Sequence, residues 1–151
     1  METIDFSVNE LGKPYHKEIA GKQTVNFNIS HSGEFILEGF AVGMDIGVDV
    51  QEMAGCPDYR EIAGNFYTAE EAEDVINEGP ELFFQYWAAK EAYVKAIGIG
   101  LGRGMDFFSV RNGEITEKGR KGQGWHLYPV KIEGYAAYVA AHKKGDKSNE
   151  L

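Results

Sequence analysis

Nine residues, Trp87-Ala-Ala-Lys-Glu-Ala-Tyr-Val-Lys95, constrain this chain more than any other stretch. They lie within a helical pattern over 81–97, where Leu82, Phe83, Tyr86, Trp87, Tyr93, Val94 and Ile97 recur near helical spacing. Gly98 falls where a left-handed cap would end the helix, and Gly79-Pro80 lie just before its start. Trp87, Glu91 and Lys95 are each four residues apart and share one stripe, with Lys90 one position round from Glu91. A helix rich in aromatic residues that also carries two lysines and a glutamate is chemically unusual. Taken alone, Glu91 and Lys95 read as an exposed pair in the favourable order, worth about 0.2–0.5 kcal/mol.

Bulk properties narrow the field. A chain of 151 residues with 43% hydrophobic and 26% charged residues is one ordinary globular domain, expected to span 1–151. No apolar run approaches the roughly 20 residues of a membrane span, and no secretory signal is expected at the N-terminus. Cys56, the single cysteine, has no internal partner, which suits a reducing cytoplasm. A net charge of −9 argues against nucleic-acid binding, and any anionic ligand must be met by a local cluster of Lys, His and Arg.

The rest of the chain reads as strands, then helices, then strands. Residues 1–24 are polar and irregular, with a loop at Gly12-Lys13-Pro14. From Thr24, Val25, Phe27 and Ile29 alternate with Asn26, Asn28 and Ser30, as in a strand. A turn at His31-Ser32-Gly33 leads to strands at 35–42 and 45–50, which together suggest an antiparallel meander. A short helix follows at 59–65. Thr68-Ala-Glu-Glu71 has capping-box spacing and opens another helix to about Asn77. Beyond the glycine-rich loop after Gly98, strands return at 105–110, 125–130 and 135–142, with a hairpin signal at Asn112-Gly113 and a further strand at 114–117. Residues 118–124 read as a basic, flexible loop and 143–151 as a tail. The fold class expected is α+β, an antiparallel sheet with helices packed on one side.

Two segments upstream of the helix carry the remaining chemistry. Asn28-Ile-Ser-His-Ser32 ends the first strand, and Gly47-Val-Asp-Val-Gln51 lies in the third. In that third strand Ile46, Val48 and Val50 point one way and Asp45, Gly47, Asp49 and Gln51 the other. By composition alone the second face is solvated and His31 is a surface residue. Asp49 and Glu91 could supply the one or two carboxylates that magnesium usually takes beside phosphate oxygens, if the helix packs on the Asp49 face.

Gly12-Lys13-Pro14, Asn28 to Ser32, Gly47 to Gln51 and Trp87 to Lys95, in this order and at compatible spacing, resemble the Sfp-type 4′-phosphopantetheinyl transferases. The resemblance spans about 6–142. It implies transfer of the phosphopantetheine arm of coenzyme A to a serine of an acyl or peptidyl carrier protein, with release of 3′,5′-adenosine diphosphate. It also implies magnesium, with manganese as the alternative, on Asp49, Gln51 and Glu91. Lys90, Lys95, Ser30 and His31 are implied as phosphate contacts, and Gly12, Lys13 and Pro14 as the adenine wall. Glu91 is implied as general base, directly or through a water on the metal. Arg103 is a further candidate for phosphate, and the carrier protein is expected near 53–67.

Gln51 departs from the family's usual glutamate. An amide oxygen can still serve a metal but brings no charge. The family's typical bacterial members are pseudo-dimers of two similar halves with coenzyme A between them. This chain is expected to represent one half plus the connector, with a homo-oligomer replacing the other half and loop 118–124 of the second copy near the 3′-phosphate. A non-catalytic module binding coenzyme A or a carrier protein, and a domain kept for association alone, stay open as alternatives.

Overall fold

In the computed structural model, which describes residues 6–8, 10, 14–16, 25–100, 104–122 and 124–143, all strand pairings are antiparallel. Strands β1 (Phe6–Val8) and β2 (Pro14–His16) form a small hairpin, where the sequence suggested only loop. Strands β3 (Val25–Ser32) and β4 (Phe35–Val42) form a second hairpin. Strand β5 (Met44–Glu52) follows, then helices α1 (Tyr59–Phe66), α2 (Ala69–Glu78) and α3 (Pro80–Ile97). The chain returns through β6 (Phe108–Ser109), β7 (Thr116–Glu117), β8 (Arg120–Lys121), β9 (Trp125–Pro129) and β10 (Tyr135–Lys143). The helices pack on one side of the central sheet β5-β10-β9, so the α+β expectation holds. Among the described residues, no helix is long and apolar enough to cross a membrane.

The helix boundaries follow from local chemistry. Pro80 occupies the first turn of α3, where its missing N–H costs nothing, and Gly98 ends the helix with φ 72°, a conformation that suits glycine. Thr68 caps α2: its Oγ accepts from Glu71 N–H at 3.3 Å while Glu71 Oε2 accepts from Thr68 N–H at 3.1 Å. α3 is apolar nearly all round and is buried on most sides, between β5 and β10 on one face and α1 and α2 on another. Its aromatic residues divide the core in two. Tyr93 meets Phe108 and Trp125, while Phe83, Phe84 and Trp87 pack with Tyr59 and Tyr67.

The expected three-stranded meander is replaced by a different joint. β3 and β4 pair with each other, and β5 pairs with β10 (Asp49 opposite Tyr138), but β5 makes no ladder with β3 or β4. Side chains of β3 bond the backbone of β5 instead. Val48 N–H donates to Asn28 Oδ1 at 2.8 Å, Val50 N–H to Ser30 Oγ at 3.2 Å, and Glu52 N–H to Ser32 Oγ at 2.9 Å. Asn26 Nδ2 extends the row by donating to Met44 O at 2.5 Å. Alternate residues of an antiparallel strand direct their N–H groups away from the partner, and these are the groups the row satisfies.

The alternation of β3 is consequently inverted. Its polar face is the buried one, with Asn28 and Ser30 almost inaccessible, while Val25, Ile29, Ile36, Phe40 and Val42 lie exposed on the outer face of the hairpin. Ile36 is 68% exposed and Phe40 65%. The inner face meets β5 closely enough that a Cβ at Gly39 would come within 2.6 Å of Val48 Cγ1. β5 is therefore covered on both faces, and its odd-numbered side is not solvated as its composition suggested.

The described residues 118–122 of the expected loop over 118–124 take up a turn and strand β8. Lys118 (φ 49°) and Gly119 (φ 73°) form the tight turn between β7 and β8. Asn112-Gly113 does lie in the connection between the paired strands β6 and β7, within a 3-10 turn at Arg111–Gly113.

Lys90 is 0% exposed. Its Nζ donates to Met105 O at 2.8 Å and Phe108 O at 2.6 Å and pairs with Glu71 Oε2 at 2.8 Å, which uses all three of its N–H groups. Glu71 Oε1 also accepts from Val110 N–H at 2.7 Å. The expected phosphate contact at Lys90 therefore gives way to a structural role, joining α2, α3 and the 105–110 segment. Burial pulls the lysine's pKa below its ordinary value, with the Glu71 carboxylate opposing that pull. Lys90→Met should cost roughly 3–5 kcal/mol in urea unfolding, because Glu71 is left charged and unpaired in the core. Glu71→Gln added to it should recover part of the loss. A Lys90→Met protein as stable as the parent would return Lys90 to the site.

Candidate active site

The contact of α3 with β5 determines which side chains meet. A Cβ on Gly47 would lie 2.1 Å from Ala92 O and 2.4 Å from Ala96 N, so the helix rests directly on the strand backbone. One step along the same strand face, Asp49 comes beside Glu91 and Lys95 of that helix. Asp49 Oδ1 accepts from Lys95 Nζ at 2.7 Å and from Ser30 Oγ at 2.8 Å; Lys95 Nζ also reaches Val48 O at 3.2 Å. Three separately weak sequence signals thus converge at one place: the odd face of β5, the stripe of α3, and the end of β3. The expectation that the helix packs on the Asp49 face is met.

Glu91 is the unusual member. It is 6% exposed, and its Oε1 is buried with no hydrogen-bond partner among the described residues. Burial, and then the neighbouring charge of Asp49, push its pKa up to about 7 against the pull of Lys95. Asp49, 5% exposed, is also raised by burial, with Lys95 and Ser30 opposing. The exposed Glu91–Lys95 surface pair is therefore not what forms: Lys95 pairs with Asp49, and Glu91 keeps an orphan oxygen. Two adjacent carboxylates that both resist ionisation, one with an unsatisfied oxygen, suit a hard divalent cation. The donors fit magnesium or manganese in kind: carboxylate oxygens from Asp49 and Glu91 and, on the same strand face, the half-buried Gln51 amide. Among the described residues, no group of three His, Cys, Asp or Glu could hold a metal; position 51 carries an amide.

Other expected site residues are placed differently. Ser30 and His31 do not share a contact: Ser30 turns inward to Asp49, while His31, next along the strand, is exposed on the outer face opposite Ile36. Pro14 lies in β2, which rests against β3. Gly12, Lys13 and Arg103 lie outside the described residues. Glu52, the carboxylate next to Gln51 in sequence, lies beside the β3–β4 turn at Gly33. Beyond the end of β5, Met53, Cys56, Pro57, Tyr59, Pro80 and Phe84 line an open, mostly apolar depression of about 570 Å3. The roles that sequence reasoning missed are those of Glu71, seen only as a capping residue, and of Asn28 and Ser32. Only the regular spacing of Asn26, Asn28, Ser30 and Ser32 signalled the latter.

Residues 45–141, from β5 through β10, match the family model described as the 4′-phosphopantetheinyl transferase superfamily. The 4′-phosphopantetheinyl transferase psf-1 of Bacillus pumilus is 33% identical over 118 residues, covering 76% of this chain and 48% of that protein. The 4′-phosphopantetheinyl transferase Sfp of Bacillus subtilis is 35% identical over 112 residues, covering 72% and 47%. The chain thus spans about half the length of the curated relatives it matches. Among solved structures, the holo-[acyl-carrier-protein] synthase of Thermotoga maritima matches with a TM-score of 0.49 and 19% identity, covering 66% of this chain and 63% of that one. Because the matched segment takes in most of the chain and every residue of the Asp49–Glu91–Lys95 cluster, the chain belongs to the 4′-phosphopantetheinyl transferase superfamily.

Proposed function

We propose that this chain transfers 4′-phosphopantetheine from coenzyme A to a serine of an acyl or peptidyl carrier protein in the cytoplasm. The observation that carries the reading is the orphan oxygen of Glu91 beside Asp49, inside the segment matched to the family. The acceptor serine's oxygen bonds to the β-phosphorus, the bond to 3′,5′-adenosine diphosphate breaks, and the serine proton leaves to Glu91. Burial and the Asp49 charge push the Glu91 pKa up to about 7 in the metal-free site, and a cation bound there would pull it down again. Lys95, held at the edge of the site by Asp49 and Val48 O, brings positive charge to the phosphate oxygens. Asp49, Glu91 and Gln51 would hold magnesium, or manganese, which when bound neutralises pyrophosphate charge. His31 and the Gly12-Lys13-Pro14 segment are proposed nucleotide contacts, on the family resemblance. The depression at Met53, Pro57 and Phe84 is the proposed seat of the carrier protein. Incubation with coenzyme A, magnesium and a panel of apo-carrier proteins, read by intact mass, tests the reading. Coenzyme A binding without transfer would favour a non-catalytic module.

Glu91→Gln should reduce transfer at least ~10²-fold, the low end of general acid–base contributions. It should also change the pH dependence of stability. Glu91 is raised from an ordinary 4.5 to about 7, so its protonated form stabilises the fold below the lower value and that contribution is lost as pH rises through about 7. The variant should therefore melt above the parent at pH 8 and close to it at pH 4. Equal melting curves at pH 8 would remove Glu91 from the buried-charge reading.

Gln51→Glu should lower the magnesium concentration giving half-maximal rate, since it adds a carboxylate to a site that has two. An unchanged titration would place position 51 outside the coordination sphere.

We also propose a homo-oligomer. The exposed face of Val25, Ile29, Ile36, Phe40 and Val42 supports it, since apolar patches beyond a few hundred Å2 are uncommon on monomers and a symmetric copy is the usual cover. Light scattering at micromolar concentration should show more than one copy, and Phe40→Glu should shift the protein to a monomer. A parent monomer that performs the transfer would refute this.

A further inference from the structure

We propose that Ser30 is a positioning residue for the metal carboxylate Asp49 and that the polar row of β3 exists in part to hold it. This rests on the functional reading above and assigns Ser30 a different task from the phosphate contact the family resemblance implies. Three observations support it.

Ser30 is almost inaccessible, although it lies on a strand whose neighbouring residues Ile29 and His31 are exposed. Its hydroxyl is committed in both directions: Oγ accepts from Val50 N–H at 3.2 Å and donates to Asp49 Oδ1 at 2.8 Å. The N–H fixes one lone pair of Oγ, which leaves the hydroxyl proton to point at the carboxylate. Asp49 Oδ1 also takes Lys95 Nζ at 2.7 Å. Both of these hydrogen bonds to the Asp49 side chain thus fall on one oxygen. Two donors on Oδ1 stop the carboxylate from turning about its terminal torsion, which is otherwise broad, and fix the direction of Oδ2. Hydrogen bonds of this kind to a ligating carboxylate orient it for the cation.

The neighbours in the row separate this task from strand capping. Asn28 and Ser32 bond β5 N–H groups in the same way as Ser30, at the same offset of 20 residues, yet among the described residues neither bonds to Asp49. Ser32 is the closer control because it is also a serine with a backbone N–H on its Oγ. Removing either hydroxyl leaves an N–H of β5 without its partner; only the loss of Ser30 also takes one of the two donors from Asp49 Oδ1.

The test compares shape-matched variants in the intact chain. Ser30→Thr keeps the hydroxyl and Ser30→Val replaces it with a methyl group of similar size, with Ser32→Ala as the capping control. Mn2+ is titrated in the presence of coenzyme A, with free Mn2+ read by electron paramagnetic resonance, and melting temperature is recorded alongside. Ser30→Val should weaken Mn2+ binding about 10-fold, the low end for outer partners of metal ligands, while Ser30→Thr stays near the parent. Ser32→Ala should lower the melting temperature and leave the Mn2+ affinity unchanged. Should valine not fit the site, Ser30→Ala, which adds no bulk, is read in its place with the same expectation. Parent-like Mn2+ affinity in Ser30→Val, or an equal loss in Ser32→Ala, would overturn the proposal and leave Ser30 an edge cap. A parent protein that takes up no Mn2+ would instead remove the metal reading itself, and the proposal with it.

Discussion

The bare backbone of Gly47 is the constraint on which the site depends. Helix α3 lies so close to β5 that no side chain could stand between them at that point, the nearest helix atom being 2.1 Å from where a Cβ would be. That approach brings Asp49 under the stripe of Glu91 and Lys95. The effect then becomes electrostatic. Close packing excludes water, and exclusion of water is the largest cause of the raised pKa values of both carboxylates. A bulkier residue at 47 would lift the helix, admit solvent, and let both acids return toward ordinary values. Packing at one glycine therefore sets the chemistry at Asp49, two positions along the strand, and at Glu91 and Lys95, each one position before a helix residue that the glycine meets.

A second polar node holds the other side of the same helix. Glu71 serves at once as the reciprocal partner of the α2 cap, the counter-ion of Lys90 and the acceptor for Val110 N–H. Lys90 also lies 4.3 Å from the Phe108 ring centroid. Such a fully satisfied network is costly to break from one side, which favours a single placement of α3 against α2 and the 105–110 segment. Neighbours on α3, Lys90 and Glu91 thus have opposite tasks. Lys90 has every donor engaged, whereas Glu91 has an acceptor with none.

Much of this was legible in the sequence, and what was not has definable causes. The long helix, the capping box and strands β3, β4, β5 and β10 are readable because periodicity and end signals act locally. The convergence of Asp49, Glu91 and Lys95 is readable only through motif order, since nothing local indicates that α3 meets the odd face of β5. Lys90 was misassigned because a lysine beside a glutamate looks the same in sequence whether it faces a phosphate or a buried carboxylate 19 positions earlier. Strand β7 falls within the stretch expected at 114–117, whereas the two-residue strand β8 and the turn with Lys118 at φ 49° depend on contacts that spacing does not carry.

The inverted alternation of β3 is the most informative departure. Period-two patterning marks a strand but does not identify the buried face, and the usual preference would place Val25, Phe27 and Ile29 inside. Here the small polar side chains are worth more inside, because β5 has an edge whose N–H groups would otherwise be buried without partners. Asn and Ser side chains are short enough to reach those groups from a neighbouring strand, and their spacing of two residues matches the spacing of the edge. Once the polar face is committed to β5, the apolar face has only the outside left. The exposed patch and the positioning of Asp49 are thus two consequences of one choice of which face of β3 to bury.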